Sequence, residues 1–76
     1  MTLHEIMNAM NRIPYTTLQS FIEESYTQSE YADFHRRSVA NMERHDPKGF
    51  RIEEICCNIF GGDYDAIINF IKQNLK

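Results

Sequence analysis

Three arginines carry the clearest chemical signal in the chain. Asp33, Arg36, Arg37, Ala40 and Arg44 recur at i, i+3, i+4, i+7 and i+11, a spacing that gathers them on one face of a helix. Guanidinium forks match carboxylate and phosphate oxygens, so this stripe suits an acidic protein surface or a nucleic-acid backbone. It equally fits a solvated face on which Asp33 and Arg37 form an ordinary i,i+4 pair. Charge is segregated along the chain. Residues 1 to 34 hold one basic side chain against five acidic ones, whereas residues 35 to 51 hold five against two.

The remaining reactive groups are Cys56, Cys57, His4, His35 and His45. None stands at zinc-site spacing, so no metal and no cofactor is expected. Cys56 falls on the apolar stripe of its helix, while Cys57 points about 100° away toward the flank. A nucleophile there would need a histidine brought in from another helix. His45-Asp46 and His35 near Ser38 are chance pairings in a chain with little room for a cleft, and the protein is read as a non-enzyme. A bridge between adjacent cysteines is strained, which points to a reducing compartment and a cytoplasmic protein. Phe70 is a separate oddity: it lies about 120° from the main stripe of its helix. Either that helix is buried on two sides, or Phe70 belongs to an exposed patch that meets a partner.

The elements that must position these residues follow from capping and period. Thr2-Leu3-His4-Glu5 is a capping box, and Leu3, Ile6, Met7 and Met10 form one stripe on a helix from Leu3 to Arg12, stopped by Pro14. Thr16 to Gln19 repeats the capping pattern for a second helix reaching about Thr27, with Leu18, Phe21, Ile22 and Tyr26 inward. Ser29 caps a third, from Glu30 to about His45, with Tyr31, Phe34, Ser38 and Met42 inward and Val39 at the margin. Asp46 to Gly49 reads as a turn. A fourth helix, Arg51 to Phe60, places Ile52, Ile55, Cys56, Ile59 and Phe60 on one side and ends at Gly61. Asp63 caps the fifth, whose stripe is Tyr64, Ile67, Ile68, Ile71 and Leu75. No stretch alternates in twos for long, so the fold class is all-α: a compact bundle of about five short helices forming a single domain over residues 1 to 76.

The tract from Ile52 to Ile71, with Gly61-Gly62-Asp63 between two helices and Ala66-Ile67 beyond, resembles the last two helices of ubiquitin-associated-type three-helix domains. It lacks their Met-Gly-Phe loop, for which Lys48-Gly49-Phe50 is the nearest equivalent. The likeness covers about a quarter of the chain and is explained by shared turn chemistry, so no family is assigned over the whole length.

At 76 residues, 42% hydrophobic and 25% charged, the chain is within the globular range, yet its core is small enough that a partner surface could add stability. No apolar run is long enough for a membrane span, and no secretion signal opens the sequence. The net charge of −3 weighs against broad nucleic-acid binding. A helix-turn-helix reading of the last two helices would lead with Asp63 and Asp65, which repel phosphate. The expected partner is therefore another protein, which the chain would inhibit, modulate or adapt. A nucleic-acid-handling machine is one candidate target, in the manner of small phage or mobile-element products. The alternatives are a nucleic-acid-binding domain using the arginine stripe and a homodimeric or larger structural module using Phe70. The partner contacts expected are Arg36, Arg37, Arg44 and Phe70.

Overall fold

Five helices and no strand make up the described part of the chain, residues 1–40 and 45–75 of a computed structural model. They are α1 (Leu3–Arg12), α2 (Tyr15–Ser25), α3 (Gln28–Ala40), α4 (Pro47–Glu53) and α5 (Tyr64–Asn74), with α4 running on as a π-helical segment over Glu54–Ile59. The all-α bundle expected from the periodicity is the observed architecture. Its radius of gyration of 12.0 Å is close to the ~11 Å of a packed chain of this length.

The first helix forms as its capping box requires. Glu5 N–H donates to the Thr2 hydroxyl oxygen, and Thr2 N–H donates to the Glu5 carboxylate. Two other starts differ from expectation. The second helix begins at Tyr15 after Pro14, with no side-chain cap from the threonines that follow. Proline at that place already fixes the entering backbone torsion. The third is capped by Thr27 rather than Ser29, through a reciprocal pair in which Glu30 N–H donates to Thr27 Oγ1 and Thr27 N–H donates to Glu30 Oε1. Met42 and Arg44, on the expected extension of this helix, lie outside the described residues.

The supposed turn at Asp46 to Gly49 is the first turn of α4. Asp46 caps it by accepting from Gly49 N–H, and Pro47 stands where a helix leaves its N–H unused. After Glu53 the hydrogen bonds lengthen in register: Phe60 N–H reaches back to Ile55 O at 2.9 Å, a five-residue step. Gly61 and Gly62 then take φ values of 61° and 80°, the left-handed backbone that glycine adopts without strain, and Asp63 caps α5.

The core is built from Ile6, Met10 and Ile13 of the first helix and its exit, Leu18 and Ile22 of α2, Phe34 of α3, and Ile52 and Ile55 beyond. The first helix packs against α4 and α5, and α2 packs against α4 and its π-helical continuation. Among the described residues no helix is long and apolar enough to cross a membrane.

Candidate functional site

The arginine stripe divides in the folded chain. Arg36 points outward and pairs with Asp33 at 2.5 Å. Arg37 turns inward: its Nε donates to Asp33 at 2.9 Å, and its two terminal nitrogens make a fork onto Glu54 at 2.9 and 3.0 Å. Glu54, 3% exposed, also accepts from the Tyr26 hydroxyl and, at 2.9 Å, from Asn58 Nδ2. Four donors fill the two oxygens of this carboxylate. Burial alone would raise its pKa, but the bonds from Arg37, Tyr26 and Asn58 outweigh that and hold it below the usual glutamate range. The same cluster raises the pKa of Tyr26, through burial first and then Glu54. It raises that of Arg37 as well, through its bonds to Glu54 and Asp33. With the oxygens of Glu54 supplied by Arg37, Tyr26 and Asn58, the cluster ties α3 to the π-helical segment. Of Arg36 and Arg37, then, Arg36 faces outward; Arg44 lies outside the described residues.

Phe70 is 5% exposed and belongs to the core. Its ring centroid lies 4.5 Å from that of Phe21 and 5.8 Å from that of Phe60, a three-ring cluster that buries α5 on two sides. It is therefore not part of an exposed patch. Arg51, which carries no expected role, is also buried: its guanidinium stacks 4.7 Å from the Tyr15 ring centroid and donates to Gln19 at 2.6 Å.

An apolar groove offers the stronger site. Leu3, Ile6 and Met7 of α1 form one wall, Tyr64 and Ile67 of α5 another, and Phe50, Ile52, Cys56 and Cys57 complete it, enclosing a cavity of about 380 Å³. Leu3, Met7 and Tyr64, at 59%, 39% and 49% exposure, are among the most exposed large apolar side chains of the protein. Expected in the core, Leu3 and Met7 instead sit at its edge. At 100° per residue they lie roughly 90° round from the face that Ile6, Ala9, Met10 and Ile13 bury. An apolar arc on α1 wider than one core contact needs was the sequence signal for this groove. Tyr64 adds a second such signal, because α5 buries Ile67, Phe70 and Ile71 in its place.

Cys56 is half-buried and Cys57 exposed, both as free thiols, in keeping with the core-and-flank assignment. Burial, with a smaller contribution from Cys57, pushes the Cys56 thiol up to about 11, so it is not an activated nucleophile. His4 on α1, His35 on α3 and His45 in the turn before α4 are all exposed. Among the described residues no three His, Cys, Asp or Glu side chains are grouped to hold a metal ion. Comparison with protein-family models, curated proteins and solved structures finds no match to this chain.

Proposed function

We propose that the chain is a protein-binding module, an inhibitor, modulator or adaptor without catalysis of its own, and that its groove receives the apolar face of an amphipathic helix from another protein. The observation that carries this reading is the joining of exposed Leu3, Met7 and Tyr64 to a cavity of about 380 Å³. Contiguous exposed apolar surface around a concavity is the usual mark of an interaction site. Two walls contributed by helices leave an open trough of the kind that an amphipathic helix fills with anchors at i, i+3, i+4 and i+7. The ionisable side chains at this trough other than thiols and tyrosine are carboxylates, Asp46 and Glu53, so charge favours a basic occupant over an acidic one.

The test starts from photo-crosslinking with a photoreactive methionine analogue at Met7 in cells of the source. The crosslinked segment is remade as a peptide and its affinity measured. Met7→Glu should weaken that peptide by about tenfold or more with little change in melting temperature, and Arg36→Glu should leave it unchanged. Full affinity in the Met7 variant refutes the groove. Loss confined to the Arg36 variant transfers binding to the outer face of α3.

A further inference from the structure

The groove has a charged edge with a definite spacing. Asp46 caps the start of α4 and Glu53 ends it, and both line the groove. Seven residues along a helix return to nearly the same face and advance about 10 Å. One oxygen of Asp46 accepts from Gly49 N–H at 2.9 Å, which leaves the other free to receive a donor. Glu53 is exposed and pairs with no described residue. The cations carried by α4 are engaged elsewhere than with these two carboxylates. Lys48 donates to the Asn11 carbonyl, and Arg51 is buried against Tyr15 and Phe34.

Resting on the docking reading above, we infer that the occupant is a cationic amphipathic helix that lies along α4 and carries two lysines or arginines seven positions apart, flanking its apolar face. Two such residues are also about 10 Å apart on one side of a helix, so they meet Asp46 and Glu53 together while the apolar side chains enter between Met7 and Tyr64. An i,i+4 pair spans about 6 Å and reaches one carboxylate at a time.

Four synthetic helical peptides with the same leucine face test this. Their flanking positions carry lysines at i and i+7, lysines at i and i+4, glutamines at i and i+7, or glutamates at i and i+7. Binding to the full chain is read by fluorescence anisotropy at low and high salt. The i,i+7 lysine peptide should bind about tenfold more tightly than the glutamate peptide and measurably more tightly than the i,i+4 one, with added salt eroding the advantage. Glu53→Lys, a change at an exposed position that leaves one negative and one positive group on the edge, should bring the lysine and glutamate peptides to near-equal binding. Equal binding of all four, abolished by Met7→Glu, overturns the charge assignment and leaves the groove standing. Binding by none of them overturns both.

Discussion

Glu54 is the residue on which the polar interior turns. A carboxylate in the middle of Arg51-Ile52-Glu53-Glu54-Ile55 reads as surface, because its partners Tyr26 and Arg37 are 28 and 17 residues away. Its role was not legible, and neither was the inward turn of Arg37, since i,i+4 spacing to Asp33 explained that side chain locally. Glu54→Ala removes the acceptor for Tyr26, Arg37 and Asn58 at once. It should lower stability by about 2 kcal/mol in chemical denaturation, reduced from the full cost of a broken buried pair because Arg37 remains partly in contact with water. Asp33→Ala, whose partners are exposed or held elsewhere, should lower it far less. Equal losses would show that Glu54 does not organise the cluster.

At the level of elements, the helices were legible where capping and period agreed, as in α1, whose bounds match the expected Leu3 to Arg12. Starts failed where several hydroxyl residues compete. Thr27, Ser29 and Thr16 all carry N-cap chemistry, and which one is used depends on where the preceding chain leaves its helix. The second helix ends at Ser25, so Thr27 is placed to cap the next. Thr27→Ala should therefore destabilise by about 1 kcal/mol, and Ser29→Ala and Thr16→Ala by a few tenths at most, as read from thermal unfolding. A loss at Ser29 equal to that at Thr27 would contradict the observed cap. The π-helical step after Glu53 was not legible, because a five-residue hydrogen bond leaves no residue-type signature comparable to a cap.

For the molecule as a whole, stability should form a plateau bounded at both ends of the pH scale. Below the ordinary glutamate pKa of about 4.3 the unfolded chain takes up a proton that native Glu54 still refuses. The stabilisation from that carboxylate is complete above this pH and is lost as pH falls through the lower native value. In alkali the order reverses. An unfolded cysteine ionises near ~8.5, whereas Cys56 holds its proton to about 11, so its contribution is complete below the first value and lost as pH rises toward the second. Urea midpoints measured across pH should fall on both sides. Cys56→Ala should flatten the decline that begins near ~8.5, before tyrosines ionise, and Glu54→Gln should blunt the acid limb. A midpoint that rises on acidification below the glutamate range would refute the assignment.

Local rules in the sequence determined the helical class, the order of five helices, the glycine turn before α5 and the split between Cys56 and Cys57, because caps, φ preferences and 3.6-residue period act over a few neighbours. Tertiary packing decided which part of each apolar arc is buried. On α1 it took Ile6, Ala9 and Met10 into the core and left Leu3 and Met7 on a groove. On α5 it took Phe70 and left Tyr64. Periodicity states how wide an apolar face is; only the neighbours that arrive from distant sequence determine how much of it they cover, and the uncovered remainder forms the groove.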